Sequence, residues 1–512
     1  MSIQLGFAVS TKNADFHLGH SSPNWSDWDG GKIGGRPSWL NPRDLPQNTL
    51  RCRGPCQESS EGGTPLCFVT QLYCPADDIN ENAFHRTLYV FACPRCCSGS
   101  SELMKSVNGA STRKDDELSA SKKNLSDCIQ VLRCQLPKTN DFYPTRGDGN
   151  DAWDKHTGEY WVQHENDEKL NTCAVCGQRS KGKCPKQNKW FCCPDHQKEH
   201  LRAGKKIQME NLDTQDIPIK HLSSVYFESE LVVEEEPMPS EQATENDIAQ
   251  KTSNSLFQSE KNIDTDLNLE QTDLNAMTLS EATRGVTDPT TLAFYARMAI
   301  GGKENDVRDQ CLRYSRWPEN EQTDDETEED DERNVGPLWL ASPNQPPHQF
   351  TNKTDTTFPP PCQHCGSPRS FEFQILPQML HYLNYDPDST NDKNRSKQVL
   401  SEVESAILLE AASKIQSGVE LPPGFREQHE KAVTKARKAL LGISSDENEN
   451  SKDEIHQLEW GTIAIYTCTN SCGDGDAVSL QELKNLDATE KERLGNLGAY
   501  REEVAWMQPP LE

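Results

Sequence analysis

The sequence predicts a β-rich α+β fold in which two related β modules, an internal pseudo-repeat, are separated by a small cysteine-rich finger and long disordered acidic linkers. Only 33% of the 512 residues are hydrophobic and the mean hydropathy is −0.82, which is too polar for one continuous core. Apolar runs typical of strands recur in the same order near both ends of the chain. Most of the 19 cysteines fall in close pairs.

The predicted repeat covers residues 1–98 and 337–480. The first module contains CRGPC (52–56), the run LCFVTQLY (66–73) and then HRTLYVFACPRCC (85–97). The second contains CQHC (362–365), the run SFEFQILP (370–377) and then EWGTIAIYTCTNSC (459–472). Each module therefore has a close cysteine pair, a strand, and a later strand that leads into a second close pair.

Two close cysteine pairs on separate loops supply four thiolates in the tetrahedral arrangement that Zn²⁺ prefers. The first predicted zinc site consists of Cys52, Cys56, Cys93 and Cys97, with Cys96 as a rival for Cys97; the second consists of Cys362, Cys365, Cys468 and Cys472. Since four protein ligands leave no position for water, both zinc ions would be structural. Buried free thiols are the alternative, and that reading suits the isolated Cys67, Cys74, Cys128, Cys134 and Cys311.

Composition assigns the other segments. We expect a polar linker at 99–126, an ordered segment packing on the core at 127–143, a disordered acidic linker at 207–290, an ordered segment at 291–317, an acidic loop at 318–336, a helical insertion at 396–442 and a C-terminal tail at 481–512. The acidic loop contains DDETEEDDE (324–332), whose like charges repel and stay solvated.

Charge and motifs limit the function classes. Acidic residues outnumber basic ones by 81 to 53, giving a net charge of −28, which disfavours direct nucleic-acid binding and favours a basic protein partner. No apolar run is long enough for a membrane span and no secretory signal is recognisable, so we expect a cytoplasmic and nuclear protein with reduced cysteines. No GxSxG, P-loop or HExxH motif is present, and we expect no enzymatic activity.

The segment CAVCGQRSKGKCPKQNKWFCCPDHQKEH (173–200) resembles a MYND zinc finger. The resemblance implies a zinc site at Cys173, Cys176, Cys192 and His196 in a finger spanning 173–206. At the family's second site only Cys184 remains, because Gln187, Lys205 and Met209 occupy the other positions. We expect one zinc ion here, about three in the chain, and a poorly held end near 200–210; an improvised second site at Cys184, Cys193 and His200 stays open.

Several segments together resemble the programmed cell death protein 2 family. They are LGFAV (5–9), GGRPSWL (34–40), FHRTLYVFAC (84–93), QCLRYSRW (310–317), CQHCGSPRSFEFQILPQML (362–380) and EWGTIAIYTC (459–468). The resemblance implies a non-enzymatic chaperone, or escort, of ribosomal protein S2, a basic protein, in biogenesis of the small ribosomal subunit. The alternative is an interaction scaffold that binds proline-rich peptides through the finger in transcriptional or cell-death regulation.

We expect the two modules to form one body. Their apolar strands, LCFVTQLY and SFEFQILP, are then either ordinary core or an open edge that accepts an extended client segment by strand addition.

Overall fold

Ten strands join the two predicted modules into one closed antiparallel barrel. In this computed structural model each of the ten strands pairs with a neighbour on both sides, so that the sheet closes on itself. The structure describes residues 3–9, 31–54, 56, 63–98, 125–140, 171–209, 217, 219–236, 288–298, 309–316, 336–342, 344–346, 358–384, 457–473, 492 and 494–510. The predicted helical insertion, 396–442, lies outside these ranges.

The barrel strands are short and rich in β-branched and aromatic residues, which fit a pleated, buried surface. They are β1 (Gln4–Val9), β2 (Gly31–Ile33), β3 (Cys67–Tyr73), β4 (His85–Ala92), β5 (Ile129–Leu136), β8 (Ser229–Glu235), β9 (Gln310–Tyr314), β10 (Arg369–Ile375), β11 (Thr462–Cys468) and β12 (Arg501–Gln508). Their order around the barrel is β1-β8-β2-β3-β4-β5-β12-β11-β10-β9, and β9 pairs again with β1. A separate hairpin consists of β6 (Gly182–Cys184) and β7 (Lys189–Phe191).

In the part of the chain that the structure describes, helices are few and lie outside the sheet. The α-helices are α1 (Pro194–Met209), α2 (Pro289–Met298) and α3 (Met379–Asn384), and 3₁₀ turns occur at Glu81–Ala83, Leu125–Cys128 and Ile219–His221. Asp288 caps α2, because its side chain accepts a hydrogen bond from the Thr290 amide at 3.1 Å. Within the ranges given above, no helix is both long and apolar enough to cross a membrane.

The barrel contains two four-stranded meanders, β2-β3-β4-β5 and β9-β10-β11-β12, which extend beyond the predicted modules because β5, β9 and β12 lie outside residues 1–98 and 337–480. The meanders join where β5 pairs with β12, and β1 and β8 close the other side. Consequently β3 lies between β2 and β4, and β10 lies between β9 and β11. Neither apolar strand offers an open edge, so strand addition of a client at these strands is wrong, and both strands are ordinary core.

A glutamine in each central strand fastens a covering segment to the barrel. The Gln71 side chain accepts a hydrogen bond from the Ser38 amide at 2.8 Å. The Gln374 side chain accepts one from the Leu338 amide at 2.6 Å and donates one to the Leu338 carbonyl at 3.1 Å. The segments around Trp39 and Leu338 therefore cover strands whose residues are almost all buried.

Two strands occur where the sequence predicted none. Residues 229–235 of the predicted disordered linker form β8, and residues 501–508 of the predicted tail form β12. Both segments read as polar because they carry carboxylates, which partners far along the chain neutralise. The Lys32 ammonium lies 3.1 Å from Glu228, and Arg133 lies 2.7 Å from Glu503.

Candidate metal centres and the docked finger

Three groups of four metal-ligating side chains are each gathered into a small volume. In each group the four ligand atoms lie within 4.8 Å of one another; the groups are Cys52, Cys56, Cys93 and Cys96, then Cys173, Cys176, Cys192 and His196, and then Cys362, Cys365, Cys468 and Cys472. Eleven of these twelve residues were predicted as ligands from the sequence. Cysteine thiolates with or without one imidazole suit Zn²⁺, and four protein donors form a closed site.

The N-terminal group brings together the loop before β3 and the turn after β4. The Cys56 and Cys93 sulfurs lie 3.7 Å apart, and the Cys52 and Cys96 sulfurs lie 3.8 Å apart. The Cys96 amide donates to the Cys93 sulfur at 3.4 Å, so a tight turn joins the Cys-x-x-Cys pair.

Cys97 is not a member of this group, and its rival Cys96 takes the position. The prediction of Cys97 followed the spacing of Cys468 and Cys472, but the turn after β4 is one residue shorter. Cys97 is fully buried in the apolar core, and burial raises the pKa of its thiol, which favours a protonated, packed side chain. Cys128 is also buried in this core and is not a member of the group.

The C-terminal group joins the turn before β10 to the end of β11. Sulfur–sulfur distances are 3.6 Å from Cys362 to Cys472 and 3.4 Å from Cys365 to Cys468. Gly366 has φ +74 and donates its amide to the Cys362 carbonyl at 2.9 Å, a left-handed turn that glycine adopts without strain. Hydrogen bonds from Cys468 and Cys472 lower the pKa of Cys362, which favours the thiolate that a metal requires.

Glu503 on β12 supports this group from inside the barrel. Its carboxylate accepts hydrogen bonds from the Cys468 amide at 3.2 Å and from the side chains of Arg133 at 2.7 Å and Arg369 at 2.8 Å. Arg133 also reaches the Cys472 sulfur at 3.8 Å. Since four thiolates around Zn²⁺ leave two excess negative charges, the guanidinium beside Cys472 would stabilise such a site if it held zinc.

The third group lies in the finger, which we define as residues 173–209. The His196 Nδ1 atom lies 3.1 Å from the Cys192 sulfur and 3.6 Å from the Cys173 sulfur, and the Cys176 and Cys192 sulfurs are 3.6 Å apart. Gly177 repeats the turn of Gly366, with φ +68 and a 3.0 Å hydrogen bond to the Cys173 carbonyl. The two Cys-x-x-Cys-Gly segments thus share one local geometry.

Hydrogen bonds engage two of the three side chains, Cys184 and His200, that could have formed a second metal site in the finger. Gln197 donates to the Cys184 sulfur at 3.1 Å, and Gln187 contacts the His200 Nδ1 atom at 2.6 Å. Within the described ranges Cys184, Cys193 and His200 do not form a metal-binding group. One candidate metal centre therefore remains in the finger.

The end of the finger is held by apolar packing. Helix α1 continues to Met209, and Ala203 and Ile207 pack in a cluster with Ile217 and Leu222. The Glu199 carboxylate also accepts hydrogen bonds from the Ser224 amide at 2.8 Å and hydroxyl at 2.6 Å. The expected loose end at 200–210 is therefore wrong as far as Met209, because Ile217 and residues 219–225 cover the helix.

The finger is docked on the barrel by hydrogen bonds to the backbone of its Cys-x-x-Cys turn. Arg36 donates to the carbonyls of Ala174 at 2.7 Å and Val175 at 2.8 Å, and the Trp39 indole donates to the Gly177 carbonyl at 2.8 Å. A β-carbon on Gly177 would lie 3.0 Å from that of Arg36. Sequence reasoning missed these contacts, although GGRPSWL carries both donors.

Gln178 completes the docking surface from the finger side. Its side-chain oxygen accepts from the Leu50 amide at 2.8 Å, and its nitrogen donates to the Leu66 carbonyl at 3.0 Å. Leu50 lies two residues before Cys52, and Leu66 directly precedes β3. The finger metal centre and the N-terminal metal centre are thus parts of one connected structure.

Two family models of the same protein family match different parts of the chain. The family model "Programmed cell death protein 2, N-terminal domain" matches residues 2–149, and the model "Programmed cell death protein 2, C-terminal putative domain" matches residues 303–402. The finger and β8 lie between these two matches. No solved structure matches the chain.

Three curated proteins illustrate the similarity. Programmed cell death protein 2 of Bos taurus is 26% identical over 379 residues, covering 73% of this chain and 86% of the relative. The Mus musculus protein of that name is 24% identical over 391 residues, covering 75% and 86%. Programmed cell death protein 2-like of Homo sapiens is 37% identical over 89 residues, covering 17% and 22%.

Proposed function

The chain belongs to the programmed cell death protein 2 family, and from this premise we propose that it is a chaperone that escorts a basic protein of the small ribosomal subunit, ribosomal protein S2. The role is non-enzymatic, and it spans cytoplasm and nucleus, because the client is synthesised in one and assembled in the other. The observation that carries the proposal is an exposed apolar side chain surrounded by carboxylates at one end of the barrel.

That side chain is Ile79, in the loop between β3 and β4. It is 47% exposed, and within the described ranges the only other exposed large hydrophobic residue is Leu201. Asp77, Asp78 and Glu81 beside it are exposed as well. An apolar contact bordered by negative charge fits a client segment that alternates basic and apolar residues, since opposite charges steer association and the apolar contact adds affinity.

The loop is held by the C-terminal half of the barrel. Asn80 donates its side-chain amide to the Ser471 carbonyl at 3.1 Å, and Ser471 lies in the turn between two residues of the C-terminal metal group. Arg316, just after β9, pairs with Asp78 at 2.7 Å and 2.9 Å. Metal binding at Cys468 and Cys472 therefore supports the proposed client surface.

We propose that all three groups hold zinc and that the three ions are structural. Each group supplies four protein donors, and metal binding at such closed sites is coupled to folding. The zinc ions would hold loops that the short strands cannot position alone, including the loop around Ser471.

The test is co-purification of ribosomal protein S2 with the full chain carrying Ile79→Asp. We expect this variant to lose most of the client while retaining the wild-type zinc content. Leu201→Asp is the matched control, because Leu201 is 49% exposed but lies on the finger. Client recovery with the wild-type chain should also fall as salt rises.

The alternative function, a scaffold that binds proline-rich peptides through the finger, predicts the opposite pattern. In that case Leu201→Asp would abolish partner capture and Ile79→Asp would not. The chaperone proposal fails if no single ribosomal protein dominates mass spectrometry of the captured material, or if capture ignores Ile79.

A further inference from the structure

The finger has the opposite charge to the rest of the chain. Residues 173–209 contain nine lysines and arginines against two acidic residues, a net charge of +7. Since the whole chain carries −28, the remaining residues carry −35. One of the two acidic residues of the finger, Glu199, is buried, and its carboxylate accepts hydrogen bonds from the hydroxyls of Ser223 and Ser224. A surface of this sign repels a basic client and attracts a polyanion.

The positive charge is arranged around an aromatic side chain on the β6–β7 hairpin. Lys183 and Trp190 are directly opposed in the register, so they share one face of the two-stranded ribbon. The opposite face is directed inward, because Cys184 and Phe191 are buried. Lys183 is exposed, and its ammonium lies 5.9 Å from the centre of the half-buried Trp190 ring.

Further lysines extend this outward face. Lys181 precedes β6 by one residue and is exposed, and its amide donates to the Phe191 carbonyl at 2.9 Å, continuing the ribbon. Lys186 is exposed in the turn that joins the strands. The hairpin therefore presents three lysines and one tryptophan on the side away from the finger core.

We propose that this face, formed by Lys181, Lys183, Lys186 and Trp190, binds single-stranded nucleic acid. Lysines bind the phosphates, and the indole ring stacks on a base, the combination by which proteins bind single strands without sequence preference. An acidic protein segment would use the lysines but would leave the indole ring without a stacking partner. The site goes beyond the proposed client surface and does not depend on it.

The test uses fluorescence anisotropy of the full zinc-loaded chain with a labelled oligouridylate of about 12 nucleotides. We expect binding at low salt that weakens as salt rises. The triple variant K181E/K183E/K186E should bind about tenfold or more weakly, and its slope of log affinity against log salt should fall by about 2, since each single-strand phosphate contact contributes about 0.7.

The matched control is R43E/R95E/K138E, which makes the same change in net charge at exposed positions outside the finger. It should retain affinity within about twofold if local contacts rather than net charge decide binding. W190A should weaken binding about tenfold, whereas W190F, which can still stack, should retain most of it. Unchanged zinc content shows that each variant keeps its fold.

Three results would overturn the inference. The first is no binding by the wild-type chain at low salt. The second is equal loss of affinity in the finger triple variant and the control triple variant. The third is competition by polyglutamate as effective as that by unlabelled oligouridylate, together with full affinity of W190A, which would assign the face to an acidic protein.

Discussion

Arg86 and Glu372 form a two-pronged ion pair across the interior of the barrel. The two guanidinium nitrogens of Arg86 on β4 lie 2.6 Å and 2.8 Å from the two carboxylate oxygens of Glu372 on β10. Three strands, β5, β12 and β11, separate β4 from β10 around the wall, so the contact runs through the lumen. Both side chains are fully buried, and hydroxyls of Tyr314 and Thr467 also donate to Glu372.

Removal of one partner should destabilise the barrel strongly. Glu372→Gln leaves the Arg86 guanidinium buried without its counter-charge, a change that typically costs about 3–5 kcal/mol. We expect a loss of that size in the free energy of unfolding, measured by urea denaturation of the zinc-loaded chain. Asp78→Asn, which breaks the exposed pair with Arg316, is the control and should cost about 1 kcal/mol or less. Equal losses in both variants would contradict the assigned role.

The same pair should make stability fall in acid. Burial alone would raise the pKa of Glu372, but Arg86 and the hydrogen bonds lower it overall below its ordinary value of 4.5. A depressed carboxyl pKa contributes stability that is complete above 4.5 and is lost as the pH falls through the folded-state value. The difference in unfolding free energy between wild type and Glu372→Gln should therefore be constant near neutrality and shrink below pH 4.5. A difference that grows on acidification would contradict this sign.

Metal analysis of reductively purified protein should find three zinc ions per chain. Cys96→Ser should lower the count to about two, because it removes one of the four ligands of a closed structural site whose metal binding is coupled to folding. Cys97→Ser is the adjacent control and should leave three ions, as should Cys128→Ser and Cys184→Ser. If Cys97→Ser rather than Cys96→Ser removed an ion, the geometry of the turn after β4 would be contradicted.

Arg36→Ala should weaken the docking of the finger on the barrel without emptying its metal centre. The change removes the two hydrogen bonds from a charged donor to the carbonyls of Ala174 and Val175. Loss of about 2 kcal/mol should speed amide hydrogen exchange in residues 173–178 by about 30-fold. Arg43→Ala, at an exposed position nearby, should leave exchange unchanged. Loss of zinc in Arg36→Ala would mean that docking and metal binding are inseparable.

The sequence predicted those strands whose own residues are apolar on both faces. Runs such as LCFVTQLY, TLYVFAC and TIAIYTC are apolar on both faces, so β3, β4 and β11 were predicted close to their observed positions. The Cys-x-x-Cys-Gly turns were equally local, because ligand spacing and a glycine of positive φ act within five residues. These features need no knowledge of distant partners.

The features that the sequence did not reveal depend on distant residues. The segment REEVAWMQ (501–508) has the composition of a polar tail. It forms a barrel strand because Arg133 and Arg369, which are distant in sequence, pair with Glu503. The segment SELVVEE (229–235) likewise has the composition of a linker. The sequence alone does not show that Lys32 pairs with Glu228, just before β8. The choice between Cys96 and Cys97 depended on the length of one turn, which the spacing in the other module did not determine.

The place of β12 in the barrel also governs when the protein can finish folding during its synthesis. β5 is translated early, but its outer neighbour begins at Arg501, so a hydrogen-bonding edge of β5 stays uncovered while the intervening residues are made. Pairings between such distant segments form slowly, and uncovered strand edges favour aggregation. The nascent chain therefore passes through an interval in which this edge is exposed to aggregation, and it cannot complete its barrel until residue 508 has emerged from the ribosome.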